Sequence, residues 1–161
     1  MKQLIKTTLL SGLAVMAMGC SMKGMMIEER VSPLGFDETV NKVITNAEAA
    51  GWVIPMKSKG NPSAIHKSIK KHLGKEILPV KVIKLCNAEY AYKILADDDA
   101  RYASVMMPCS ISVYQKSDGK TYVANMKAGR MGWMMGGTVA DVMDGPVSGD
   151  QAKILGFLDT K

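Results

Sequence analysis

The sequence has little of what metal centres, disulfide scaffolds and common enzymes require. It contains only 2 His and 3 Cys, which excludes a three-His metal site, a four-Cys zinc site and a dense disulfide framework. It also lacks a Cys-X-X-Cys pair, a Gly-X-Ser-X-Gly elbow, a phosphate-binding glycine loop and a His-Glu-X-X-His helix. These absences favour a binding protein over an enzyme.

No apolar run in the sequence is long enough to cross a bilayer as a helix, which takes about 20 residues. The run from Leu9 to Met18 is shorter, follows Lys2 and Lys6, and ends at Gly19-Cys20. Basic residues, a short apolar segment and a small residue before a cleavage point are typical of a secretory leader. We therefore predict a signal peptide over residues 1–19 and an exported body.

The end of the leader resembles the lipobox of bacterial lipoproteins, in residues 17–20 (AMGC). The resemblance implies cleavage before Cys20, acylation of that residue by palmitate-type chains, and stable attachment to a lipid bilayer. The alternatives are cleavage elsewhere in the leader and a retained N-terminal anchor. Ser21 in place of Asp implies, by the same resemblance, a place in the cell envelope on the outer membrane, facing the periplasm.

Charge and aromatic content argue against a nucleic-acid partner. The formal charge of +6 falls to +4 when the leader with its two lysines is removed, and aromatic residues make up 6% of the chain. No basic stripe with interleaved aromatic residues appears. The densest basic stretch, residues 66–75, is interpreted as the solvated face of a helix rather than as a patch for lipid headgroups or other anions.

Residues 20–24 form a short tether, and residues 25–161 are expected to fold as one domain without internal repeats. Turn and capping residues divide this body into elements. The predicted elements are a strand at 25–32, a helix at 36–51 ending at Gly51, a strand at 52–56, a helix begun by Asn61-Pro62 and ended by Gly74, a strand at 80–86, and a helix capped by Asn87 that ends near Ala96.

The clearest local pattern lies in residues 109–126. Cys109, Ile111 and Val113 alternate with polar residues, and a turn at 117–119 and a second strand at 121–126 follow. This pattern predicts a β-hairpin. Beyond it we expect an irregular Gly- and Met-rich segment at 127–137, a short helix after Thr138, and a last helix with a Ser148–Gln151 capping box. Helices that alternate with strands and then give way to a hairpin predict an α+β domain, with helices on one face of a mainly antiparallel sheet.

Three segments resemble the family catalogued as domain of unknown function 302. They are residues 80–92 (VKVIKLCNAEYAY), residues 107–114 (MPCSISVY) and the acidic-Gly turn at 118–119. The resemblance covers about residues 31–127 and implies a sandwich similar to that of the TATA-binding protein. It implies no activity. Residues 128–145 look like an elaboration on the family pattern.

Cys86 and Cys109 both fall at positions that the resemblance marks. An oxidising compartment would allow them to pair. Closing the loop between them would contribute about 3 kcal/mol in the chain-entropy model, provided that the Cα atoms lie within about 7 Å. The alternative is two buried, unpaired thiols that behave as small apolar side chains. The sequence leaves both alternatives open.

The methionines cluster after the hairpin, at Met131, Met134 and Met135. With Met126 nearby, and Met106, Met107 and Cys109 in the same region, they form a soft-ligand set that would suit Cu(I). The alternative is that Met fills irregular apolar gaps, or presents an apolar surface to a partner protein.

These observations predict a small envelope lipoprotein that binds something apolar or soft in a groove between helices and sheet, or an envelope protein through its Met/Gly segment. The alternative is a periplasm-facing Cu(I)-binding or thiol-redox protein that uses Met131, Met134, Met135 and the cysteine pair.

Overall fold

A computed structural model describes residues 22–55 and 62–159 of the chain. Its core element is a five-stranded antiparallel sheet with the strand order β1-β5-β4-β3-β2. The strands are β1 (Ile27–Val31), β2 (Ser63–Ala64), β3 (Val80–Leu85), β4 (Cys109–Gln115) and β5 (Thr121–Met126). The predicted leader and Cys20 lie outside the described residues.

Helices precede, connect and follow these strands. They are α1 (Met22–Met25), α2 (Phe36–Ala49), α3 (Ile65–Leu73), α4 (Ala88–Leu95), α5 (Ala128–Met135), α6 (Gly137–Val142) and α7 (Ser148–Leu155). A 3₁₀ segment spans Arg101–Met106, a π turn at Met143–Val147 joins α6 to α7, and a 3₁₀ turn at Gly156–Leu158 follows α7. The predicted α+β class with an antiparallel sheet is confirmed.

The two faces of the sheet differ, because successive strand residues point to opposite sides. Ile83, Ile111 and Val123 share the inner face, where they are buried and join one core with residues of α2, α6 and α7. Tyr114 and Tyr122 lie on the outer face and are half-buried. The helices therefore cover the inner face, as the alternation predicted.

Most helix ends follow the predicted signals. Gly51 and Gly74 have positive φ after α2 and α3, which suits glycine because it has no Cβ. The Asn87 side chain accepts hydrogen bonds from the backbone N–H groups of Glu89 and Tyr90 and caps α4. The lysines of residues 66–75 are exposed, as expected for a solvated face.

Three predicted elements differ from the structure. The first strand begins at Ile27 rather than at residue 25, because residues 22–25 form α1. Residues 52–55 form no strand beyond a single bridge between Val53 and Cys86, since Pro55 has no N–H to extend the pairing. The helix expected to begin at Asn61-Pro62 begins at Ile65 instead, because residues 63–64 pair with β3 as the short strand β2. Asn61 and Met56 lie outside the described residues.

The segment predicted as irregular at 127–137 is also corrected, because residues 128–135 form α5. A Cβ on Gly132 would lie 2.8 Å from the Met143 Cβ, so this glycine allows close helix packing. The predicted capping box is wrong as well. Ser148 continues a helix from the π turn, and the Gln151 side chain bonds instead to the Ala128 N–H and the Met126 carbonyl.

Candidate functional site: a groove between the sheet and the C-terminal helices

An apolar cavity of about 320 Å³ lies at the end of the sheet where β3 and β5 finish and β4 begins. Its walls come from the sheet, from the 3₁₀ segment and from the C-terminal helices, and include Leu85, Ile111, Val147 and Ile154. Its volume falls within the range of about 300–1,000 Å³ typical of small-molecule sites. The cavity is therefore large enough to hold a ligand.

A smaller cavity of about 40 Å³ continues the first one towards α4. The two share Trp52, Met106 and Cys109 in their walls, and the smaller one is also lined by Tyr90 and Ile94. We call the two together the apolar groove.

Trp52 is held in the wall of the groove by a carboxylate. Its indole N–H donates to Asp150 at 3.2 Å, and the Tyr90 hydroxyl donates to the same carboxylate at 3.0 Å. Burial would raise the pKa of Asp150, but hydrogen bonds from Lys153, Trp52 and Tyr90 outweigh it and lower that pKa. The same contact raises the pKa of Tyr90. The ionised Asp150 thus fixes two aromatic rings in the wall of the groove.

Polar side chains in the wall are already used by the fold. Both ends of the Gln151 amide bond to backbone atoms of Ala128 and Met126, at 3.3 and 2.8 Å. Asn87 is occupied as the cap of α4. A ligand in the interior therefore meets hydrocarbon and sulfur rather than oriented hydrogen-bonding groups.

Cys86 and Cys109 both line the groove, are half-buried, and are free thiols in this structure. They lie near each other, because β3 pairs Leu85 with Cys109 and Cys86 is the next residue. Burial, and to a lesser extent the neighbouring Cys86 thiol, raise the pKa of Cys109. A neutral thiol is a poor nucleophile and a poor metal ligand. Of the two alternatives that the sequence left open, a disulfide and two unpaired thiols, neither is tested by these observations.

The three methionines of the soft-ligand hypothesis take different positions on α5. Met131 is 8% exposed and lines the groove, whereas Met134 is 58% exposed and is absent from the wall. Met135 is half-buried and packs against the core. The groove instead gathers Met131 with other sulfur side chains, those of Met106, Met126, Met143 and Cys109. The soft-ligand hypothesis already included Met106, Met126 and Cys109, and the structure adds Met143 to them.

A polar cleft adjoins the apolar groove and shares Ala128 and Gln151 with it. Its cations are Arg30, Lys127 and Arg130. They come from β1, from the residue before α5 and from the first turn of α5. Sequence reasoning missed this cleft because β1 and α5 are distant in the chain and are brought together by the β1–β5 pairing.

The chain was compared with known families and structures. The model of the family described as "Domain of unknown function DUF302" matches residues 27–145. The chain belongs to this family. A crystal structure of an uncharacterized conserved DUF302 protein from Bacillus stearothermophilus has a TM-score of 0.69 and 17% identity, and covers 83% of this chain and 98% of that one. A search of curated proteins found no significant match.

The family assignment corrects one expectation. Residues 128–145, interpreted above as an elaboration, lie within the family match, so α5 and α6 belong to the DUF302 domain. The apolar groove is built largely from this matched region. No helix among the described residues is long and apolar enough to span a membrane. The same residues contain no cluster of three His, Cys, Asp or Glu side chains arranged to hold a metal.

Proposed function

We propose that this DUF302 protein is a lipid-anchored envelope protein whose α+β domain binds a small apolar ligand in the apolar groove. One observation carries the proposal: a cavity of about 320 Å³ with walls of aliphatic, aromatic and sulfur side chains. Small-molecule sites in proteins are usually concave clefts lined mainly by apolar side chains.

The chemistry of the wall favours binding over catalysis. The Cys109 thiol has a raised pKa, Gln151 and Asn87 are bonded to the backbone, and the Asp150 carboxylate is engaged with Trp52 and Tyr90. Affinity would come from burial of apolar surface, worth roughly 25 cal/mol per Å².

A matched pair of α5 variants tests the groove. We expect Met131→Gln to weaken binding of the neutral fluorescent probe N-phenyl-1-naphthylamine by roughly tenfold, or about 1.4 kcal/mol, because it places an amide in the apolar wall. Met134→Gln makes the same change at an exposed position of the same helix and should leave binding unchanged. Urea unfolding of both variants confirms that they fold. Absence of probe binding to the folded wild type would reject the proposal.

The anchor and the location form a separate part of the proposal. They rest on the leader, on the lipobox-like residues 17–20 and on Ser21. Membrane fractionation of the full chain and of Cys20→Ser, with mass spectrometry of the N-terminal peptide, tests them. We expect an acylated peptide from the outer-membrane fraction, and release of the variant. A Cys20→Ser protein that still fractionates with membranes would refute acylation as the anchor.

The alternative is a Cu(I)-binding or thiol-redox protein. One observation favours it, the set of sulfur side chains that line the groove around Met131 and Cys109. The exposed Met134 and the raised pKa of Cys109 weigh against it. Elemental analysis after anaerobic Cu(I) loading, compared between wild type and Met131→Leu, decides this alternative. Stoichiometric copper that is lost in the variant would support it.

A further inference from the structure

The exposed residues at the mouth of the apolar groove are mainly apolar. Val105, which is 86% exposed, and Met126 line the opening, together with the exposed Ser110. Met126 pairs with Ile27 of β1, which is exposed as well. The apolar surface therefore extends from the groove onto the rim of the sheet. Contiguous exposed apolar surface in a monomer commonly marks a contact with a membrane or a partner.

The chain enters the domain at this same rim. The Lys127 backbone N–H donates to the Met26 carbonyl at 2.8 Å, and the Lys127 ammonium donates to the Gly24 carbonyl at 3.1 Å. Cys20 precedes Gly24 by four residues, which span at most about 14 Å when extended. An acylated Cys20 would thus hold the mouth of the groove close to the bilayer surface.

The polar cleft beside the groove is lined by three cations and by the carboxylates of Glu28 and Asp159. Arg30 is neutralised within the fold, since it contacts Asp159 at 2.9 Å and Glu28 at 3.7 Å. Lys127 and Arg130 are the remaining cations that line the cleft. Both would favour a carboxylate or phosphate group placed there.

From these three features we infer that the groove takes up an anionic single-chain amphiphile from the bilayer, with its acyl chain in the groove and its acidic head at Lys127 and Arg130. The inference rests on the proposed function and names its ligand class. The apolar interior of the groove would bind the acyl chain, and the adjoining polar cleft would bind the acidic head. The point where the polypeptide enters the domain would bring the groove close to the bilayer that supplies the ligand.

Tryptophan fluorescence offers a direct test, because the chain has 2 Trp and Trp133→Phe leaves Trp52 in the groove wall as the single emitter. The full chain carrying Trp133→Phe is added to phosphatidylcholine vesicles that contain dibromostearate or its methyl ester. We expect dibromostearate to quench Trp52. The neutral ester should bind roughly tenfold more weakly, equivalent to about 1.4 kcal/mol.

Two pairs of comparisons locate the bound molecule. Ser110→Phe adds a ring at a position that lines the opening and should weaken quenching, whereas Ser112→Phe makes the same change two positions along β4, outside the groove wall, and should not. Arg130→Gln should weaken quenching by the acid and leave quenching by the ester unchanged. Circular dichroism checks that each variant folds.

Each other result overturns the inference in a distinct way. Binding of N-phenyl-1-naphthylamine without quenching by dibromostearate would leave the proposed function standing and reject the acyl ligand. Equal quenching by acid and ester, insensitive to Arg130→Gln, would reject recognition of the head. Quenching by dibromostearate in solution but not from vesicles would reject the bilayer as the source. A dimer that Ser110→Phe dissociates would assign the groove to a second copy of the chain. Failure of the naphthylamine probe itself would reject the proposed function.

Discussion

Trp52 donates its indole N–H to the Asp150 carboxylate at 3.2 Å, and this bond joins the segment after α2 to α7. The two residues are 98 positions apart in the chain. The Trp52 ring also meets the Tyr90 ring edge-on, with centroids 5.8 Å apart. One buried carboxylate therefore positions the aromatic wall of the apolar groove.

We predict that Asp150→Asn lowers the free energy of unfolding by about 1–3 kcal/mol at pH 7, the usual cost of disrupting a buried hydrogen-bonded charge. The folded-state pKa of Asp150 lies below its unfolded value. Its contribution is therefore fully present above the unfolded pKa, about 3.9, and is lost as the pH falls through the folded value. Urea unfolding at several pH values should show the difference between wild type and variant shrinking below about pH 4.

A control for this prediction is Asp98→Asn. Asp98 is highly exposed and pairs with Arg101, three residues further along the chain. Exposed pairs contribute about 0–1 kcal/mol, so this variant should unfold much like the wild type. A wild type and an Asp150→Asn variant that differ equally at pH 7 and pH 3 would contradict the role of the ionised carboxylate.

Gly132 should tolerate no side chain. A Cβ there would lie 2.8 Å from the Met143 Cβ and 3.0 Å from the Asp144 backbone nitrogen. Gly132→Ala should therefore separate α5 from the π turn and cost about 1–3 kcal/mol, as overpacking of a core does. The matched control is Gly149→Ala in α7, where a Cβ meets nothing within 4 Å. That change should stabilise the helix by about 0.5–1 kcal/mol. Equal urea midpoints for the two variants would disprove the close approach.

The outer face of the sheet should make the protein sensitive to alkali. Burial, and then the hydrogen bond from its hydroxyl to Glu29, raise the pKa of Tyr114. A raised folded-state pKa contributes stability that is present below the unfolded value, about 10, and is lost as the pH rises through the folded value. Tyr114→Phe should therefore lose less stability than the wild type above about pH 10. The exposed Tyr102→Phe serves as the control. Parallel pH profiles for all three proteins would count against this assignment.

Cys109 should react slowly in the folded protein. Its thiol is partly buried and its pKa is raised, so little thiolate forms near neutral pH. We expect iodoacetamide to label Cys109 slowly at pH 7 and much faster after unfolding in urea, with labelled peptides quantified by mass spectrometry. Protein purified without reductant should give unlinked peptides for Cys86 and Cys109. A bridged peptide would contradict this expectation and establish the disulfide.

Much of the fold follows from local signals in the sequence. Alternation through Cys109–Gln115 and the turn before Thr121 predicted the hairpin, and Asn87 and Gly74 marked helix limits that the structure shares. These features depend on the chemistry of neighbouring residues. A cap or a tight turn is satisfied within a few positions, so its signal survives in the sequence alone.

The candidate site was decided by tertiary structure. The glycines and methionines of residues 127–137 predicted an irregular segment, yet residues 128–135 form a helix, in which Gly132 allows close packing against Met143. Met131 and Met134 have the same side chain, but the packing of α5 turns one into the groove and the other to solvent. The sequence by itself determined the hairpin, the helix caps and the anchor hypothesis. Which side chains line the apolar groove was decided by packing between elements that lie far apart in the chain.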